Sequence, residues 1–171
     1  MKRVLIMKWK GLLLFGLILG SFLTGCSAGQ NSTSTTQSDD ENQTEHVNGD
    51  LREETASKDK LPAFLDDKNE DMQTLYTAVS QNKDLLENMP CYCGCGESVG
   101  HKNNYDCFIH ETKANGSVVW DDHATKCGVC LEIAAKSIID HQERKSVKQI
   151  REDIDKTYGE NYAEPTPTPE I

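Results

Sequence analysis

Hydrophobic and polar positions divide the chain into three zones. Gly11 to Leu23 (GLLLFGLILGSFL) is an unbroken apolar run, residues 27–60 hold almost nothing apolar, and from Leu61 onward apolar residues return at helical spacings. Leu61-Pro62-Ala63-Phe64-Leu65 opens the folded part, with Pro62 keeping the residue before it extended. Met72, Leu75, Tyr76, Val79 and Leu86 then predict a helix, capped by Asp66 or Asp67 and stopped near Asn88 by Pro90. A longer helix is predicted from an Asp121 or Asp122 cap to His141 or Gln142, with Cys127, Leu131, Ala134, Ile138 and His141 along one stripe and Cys130 and Ile133 widening it. Ser146 to Gln149 has capping-box form and begins a last helix on Val147, Ile150, Ile154 and Tyr158, ending at Gly159. Between these helices, residues 103–109 read as a short helix or turn, 114–117 as a turn, and Val118-Val119-Trp120 as a brief extended segment. The expected fold is mostly α: about three to four helices over residues 61–162 around a Cys/His-rich loop, followed by a Pro/Thr tail, 163–171, with nothing to bury.

The ends of the chain carry different instructions. Lys2, Arg3, Lys8 and Lys10 precede the apolar run, which is short for a membrane span, so residues 1–25 read as a signal peptide. The run closes on Leu23-Thr24-Gly25-Cys26, which looks like a lipobox, making Cys26 the expected lipid-anchor residue at the mature N-terminus. Residues 26–60, rich in Ser, Thr, Gln, Asn and acid, are expected to be a lipidated, disordered linker that spans roughly 30 to 35 Å. His46 reads as a solvated histidine of that linker. Loss of residues 1–25 removes four positive charges and takes the formal net charge from -10 to -14. A chain this acidic, with no basic cluster, is not expected to bind nucleic acid, and its membrane contact is expected through the lipid.

Chemistry is concentrated between Pro90 and Cys130. Six of the seven cysteines and three of the five histidines lie there. Cys91, Cys93 and Cys95 alternate, and in an extended strand their side chains would stand roughly 6.6 Å apart. Thiolates on one tetrahedral zinc approach to roughly 3.8 Å, so the chain must curl, which Gly94 and Gly96 permit. A disulfide within a Cys-x-Cys pair closes a very small strained ring. His123, Cys127 and Cys130, if helical, share one face. With His101 and Cys107 the expected metal-ligand set is Cys91, Cys93, Cys95, His101, Cys107, His123, Cys127 and Cys130, a borderline-soft set suited to zinc or copper. His110 reads as a surface histidine and His141 as a core or helix-end one.

Pro90-Cys91-Tyr92-Cys93-Gly94-Cys95-Gly96, Gly100-His101, Cys107-Phe108-Ile109, and Trp120 to Ala124 with Cys127 to Ala134 together resemble the bacterial lipoproteins named for their PCYCGC motif. That resemblance covers roughly residues 89–135 and implies no mechanism, the family being one of unknown function. The expectation from the residues is a membrane-anchored, extracytoplasmic metal binder rather than an enzyme, its protein partner undefined. Two alternatives stand beside it: three structural disulfides in a binding module, and a thiol-disulfide oxidoreductase using Cys127 and Cys130. A position of that pair inside the long helix, and a shortage of strands, weigh against the oxidoreductase. Covalent haem is unsupported, because Leu131 stands where the Cys-x-x-Cys-His pattern needs histidine.

Overall fold

Asn48 and Gly49 form the turn from which the sheet is built. The computed structural model describes residues 44–171. Both turn residues take positive φ, 51° and 92°, the geometry that lets a two-residue turn follow the twist of its strands. They join β1 (Thr44–Val47) to β2 (Asp50–Thr55), and β2 pairs antiparallel with β4 (Val118–Asp121). β3 (Ile109–Thr112) covers the other side of β4, so the order is β1-β2-β4-β3. The chain is therefore mixed α/β, which corrects the mostly α expectation. Residues 44–55, assigned from composition to a disordered linker, are two strands of this sheet. The signal segment, Cys26 and the linker up to residue 43 lie outside the described residues.

The polar composition of β2 hides it from a reading of the hydrophobic pattern. Its buried residues Asp50, Arg52, Glu53 and Thr55 are all polar, and each is matched to a partner. Arg52 Nε donates to Asp121 Oδ2 at 2.9 Å, and the Trp120 indole N–H donates to Thr55 Oγ1 at 2.8 Å. The Glu53 carboxylate accepts the backbone N–H groups of Ala63 and Phe64 at 2.6 and 3.2 Å, and Asp50 pairs with His123. Pairing of this kind removes the penalty on burying polar groups, so the strand shows no apolar signature.

Among the described residues, five α-helices accompany the sheet: α1 (Glu70–Gln81), α2 (Lys83–Leu86), α3 (Gly96–Val99), α4 (Gly128–Gln142) and α5 (Val147–Tyr158). The first predicted helix is in fact two, broken at Asn82 (φ -121°, ψ 36°), and Asn69 caps α1 by accepting from Met72 N at 2.8 Å. α4 starts later than predicted. Residues His123–Lys126 form a separate 3-10 turn, and Cys127 (φ -128°, ψ 103°) is extended. The capping box at Ser146 and Gln149 forms as its sequence predicts. Replacing Ser146 with alanine is expected to destabilise the fold by about 1 kcal/mol, to be read from denaturant unfolding.

Tyr76 of α1 centres the core, with its ring 4.9 Å from Phe108 and 6.2 Å from Trp120, and its hydroxyl donates to Asp121 O at 2.9 Å. Cys130, Ile133, Ala134 and Ile138 form the buried face of α4, which Ile150, Ile154 and Tyr158 of α5 extend. One flank of the sheet and the first turn of α4 thus face the same region. Among the described residues, no helix is long and apolar enough to cross a membrane.

Candidate metal centre

The PCYCGC segment is fixed at both ends. Asn104 N donates to Met89 O at 2.8 Å ahead of Pro90, and the Tyr92 hydroxyl donates to Asp155 Oδ1 of α5 at 2.6 Å. Gly94 then takes φ 80° and the chain curls, so that Cys95 N donates to Cys93 Sγ at 3.3 Å. Gly96 has another purpose. A Cβ there would be driven into the Thr166 side chain and would stand 3.0 Å from His101 O, so the position has no room for one.

The C-terminal residues account for that crowding. Cys91 N donates to Thr166 Oγ1 at 2.8 Å, Thr166 N to Cys91 O at 3.0 Å, and Ala163 N to Tyr92 O at 3.3 Å. The tail expected to bury nothing instead satisfies the backbone of the cysteine segment. A groove of about 610 Å³ remains between them, lined on one side by Cys91, Gly96 and His101 and on the other by residues 163–167. Truncation after Tyr162 leaves the Cys91 N–H and C=O without these partners. It is expected to lower stability by about 1 to 3 kcal/mol, measured by chemical denaturation.

Across from this segment, His123 is held from two sides. Its N–H donates to Asp121 Oδ1 at 2.9 Å, and its ring Nδ1 lies 3.0 Å from Asp50 Oδ2. That contact orients Nε2 toward Cys93 Sγ, 3.8 Å away. A carboxylate behind a histidine fixes its tautomer and raises its basicity as a ligand. Hydrogen bonding to Cys93, then to Asp50, pushes the His123 imidazole up to about 9 against the opposing effect of burial. His123, Cys127 and Cys130 converge because the 3-10 turn folds back onto α4. They do not share one continuous helical face.

Cys127 occupies the N-cap position of α4. A hydrogen bond from Cys130, aided by one from the backbone, brings its thiol down to about 6 despite partial burial. Hydrogen bonding with Cys130 and then with Cys91 brings Cys107 down to about 7. Cys130 itself is pushed up, first by its bond to Cys107, because it is the thiol that keeps its proton and donates it.

The predicted donors gather into overlapping groups. Cys93 Sγ, a His123 ring nitrogen, Cys127 Sγ and Cys130 Sγ all lie within 4.8 Å of one another, and so do the sulfurs of Cys91, Cys107 and Cys130. Cys91 Sγ is 3.1 Å from Cys93 and 3.6 Å from both Cys107 and Cys130. The loop and the first turn of α4 do meet, as a shared site requires. His101 stands with Cys107 and His123, its ring centroid 4.8 Å from that of His123. It is 4% exposed, and neither ring nitrogen makes a hydrogen bond, although Nε2 faces Asp121 Oδ2 at 3.7 Å.

Cys95 is the predicted donor that joins none of these groups. It is half-buried, its thiol is 3.9 Å from Cys93 O, and burial pushes it up to about 11. All six described cysteines are free thiols. His110 is exposed beside Arg52, and His141 is exposed in the last turn of α4.

Sequence reading missed Asp50, Asp121 and Asn104. Asp50 falls in the stretch expected to be linker, although the Asn48-Gly49 pair before it is a hairpin signal. Asp121 was read as a helix cap. Buried between Arg52 and His101, it would be pushed up by burial, but the His101 ring 3.7 Å away and the hydrogen bond from Arg52 hold it below the ordinary carboxylate range. Asn104, fully buried, donates to Cys130 O at 3.1 Å and ties the Cys107 turn to α4. Asp50→Ala is expected to weaken metal binding by about 10- to 100-fold, measured in competition with a chromophoric chelator.

The fold and the cluster define a small mixed α/β protein with Cys/His groups able to hold a metal ion. The chain belongs to the family described as "Protein of unknown function with PCYCGC motif", whose model it matches over residues 15–171. No curated protein and no solved structure matches it.

Proposed function

We propose that this protein is a membrane-anchored, extracytoplasmic lipoprotein that binds zinc or copper through its Cys/His cluster, for metal handling. The observation that carries the metal reading is the set Cys93, His123, Cys127 and Cys130, three sulfurs and an imidazole within 4.8 Å. Three thiolates with one histidine are a donor set for a four-coordinate d10 ion. His123 is oriented by Asp50 as metal-binding histidines are, and Cys93 and Cys127 are half-buried, which leaves a path for the ion. The lipid anchor rests on the basic cluster, apolar run and Leu23-Thr24-Gly25-Cys26 box.

Elemental analysis of the full chain, purified anaerobically in detergent, tests the metal reading when paired with thiol counting before and after a chelator. Stoichiometric zinc or copper with thiols released by the chelator is the expected result. Metal-free protein with its cysteines in disulfides overturns it. For the anchor, mass spectrometry of the membrane fraction is expected to show acyl chains on Cys26, and their absence from Cys26→Ala protein checks the assignment.

A second reading is favoured by one observation. Cys127 lies at the start of α4 and is brought down to about 6, a position and acidity suited to thiol-disulfide exchange with Cys130 behind it. The pair thus spans the start of α4, with Cys127 at the N-cap and Cys130 in the first turn, whereas the sequence predicts a place inside the helix. Insulin reduction by the purified protein, lost in Cys127→Ser, is the outcome this second reading requires.

A further inference from the structure

We infer that the cluster holds two metal ions, an outer and an inner one, joined by the thiolate of Cys130; this rests on the metal-binding reading above. Cys130 Sγ belongs to both donor groups: with Cys93, His123 and Cys127 on one side, and with Cys91 and Cys107 on the other. The six donors of these two groups exceed the four positions of a d10 ion, so a single ion leaves at least two of them unused. A thiolate sulfur has lone pairs enough to bind two cations. Cys130, fully buried at the meeting point of the two groups, is the sulfur placed to do so.

The groups differ as two such sites should. The outer set contains the half-buried Cys93 and Cys127, while Cys91, Cys107 and Cys130 are each at most 1% exposed. Cys91 Sγ lies 3.1 Å from Cys93 and 3.6 Å from Cys107, so the sulfurs run without a gap from one set into the other. His101 supplies what the inner set lacks. Its ring nitrogens are buried and make no hydrogen bond, Nε2 standing 3.7 Å from Asp121 Oδ2; it groups with Cys107 and His123, and also with Asp50 and Asp121, and lines the groove that also reaches Cys91. A buried imidazole that makes no hydrogen bond and has only a carboxylate 3.7 Å away is under-satisfied, and a cation bound at the ring removes that cost.

Charge follows the same division. Sharing Cys130 places five thiolates on two ions instead of six. Two divalent ions then leave a single negative charge, and two Cu(I) ions leave three, so burial favours the divalent pair. The chemistry common to both cases is a pair of soft d10 cations.

Native mass spectrometry of the full chain in detergent, titrated anaerobically with Zn(II) and in parallel with Cu(I), reads the stoichiometry. The expected result is two ions per chain for wild type and one for Cys107→Ser, which keeps the outer set, and one for Cys127→Ser, which keeps the inner. Far-UV circular dichroism on each variant, and Cys107→Ala as a second substitution, separate ligand loss from unfolding. Zn(II) at two ions supports the divalent pair; Cu(I) alone at two supports the monovalent one. Titration with Co(II) tests the bridge: the paramagnetic signal should grow to the first equivalent and fall with the second, as spins couple through the shared sulfur. A signal rising in proportion to both equivalents overturns the bridge. Saturation at one ion, with Cys91→Ser and Cys107→Ser unaffected, overturns the pair but leaves the metal reading standing. Binding of no ion at all overturns both.

Discussion

Cys130→Ser protein is expected to emerge from purification without its metal, whereas Cys95→Ser protein should retain it in full. Serine offers a hard, weakly acidic hydroxyl where a soft thiolate is needed, and at position 130 it withdraws a donor from both groups at once. Binding of structural zinc is worth about 10 to 16 kcal/mol in small metal-dependent domains, so loss of a shared ligand removes a large part of the stability of the loaded form. The metal-free protein should suffer less, by about 1 to 3 kcal/mol, as a buried hydroxyl replaces a thiol among sulfurs. Cys95 joins no donor group, so its substitution should change neither metal content nor melting temperature appreciably. Elemental analysis and thermal unfolding, each with and without chelator, check both halves. Full metal content in Cys130→Ser would contradict the site described above.

Zinc binding at pH 7 should release about two protons or more, and affinity should therefore fall by about a hundredfold for each pH unit of acidification near neutrality. The sign follows from the metal-free cluster. His123, raised to about 9 by its bonds to Cys93 and Asp50, carries a proton at pH 7 that ligation must displace. Cys130, pushed up by its bonds to neighbouring sulfurs, carries a second. Cys107, brought down to about 7, gives up part of a third, while Cys127 at about 6 is already largely thiolate. Below pH 6 Cys127 protonates as well and the count rises. Above pH 9 His123 is neutral and the count falls. Calorimetric titration in buffers of different ionisation enthalpy measures these numbers directly, and a release near zero at pH 7 would refute the proton assignment.

The helices and the cluster were legible in the chain to different depths. α5 was readable in full, because an amphipathic stripe and a capping box are local properties. Convergence of Cys91 and Cys93 on Cys127 and Cys130 could be anticipated from donor spacing alone, since cysteines that cannot pair with near neighbours must find distant ones. The sheet could not be read in this way. β2 is stabilised by Arg52, Glu53 and Thr55 finding partners that lie far along the chain, and no window of sequence around residue 52 contains Asp121 or Trp120. Asp50 was hidden for the same reason, and with it the orientation of His123. The start of α4 was misplaced because Asp121 and Asp122 look like caps; Asp121 is instead engaged by Arg52 and the His123 N–H, and the helix begins only after Cys127.

The pairing of Cys91 with Thr166 bears on when the cluster can exist. Its parts come from Asp50 in β2, the PCYCGC loop, the Cys107 turn, the start of α4, and a strand of backbone at residues 163–166 that follows every helix. A chain still emerging, or cut short before that stretch, presents the cysteines in order but without the hydrogen bonds that seat Cys91. Such a chain would expose its thiols to oxidation and to stray ions. The seating of Cys91 therefore needs backbone from the far end of the described chain, so the cysteine segment alone does not contain everything that shapes the cluster.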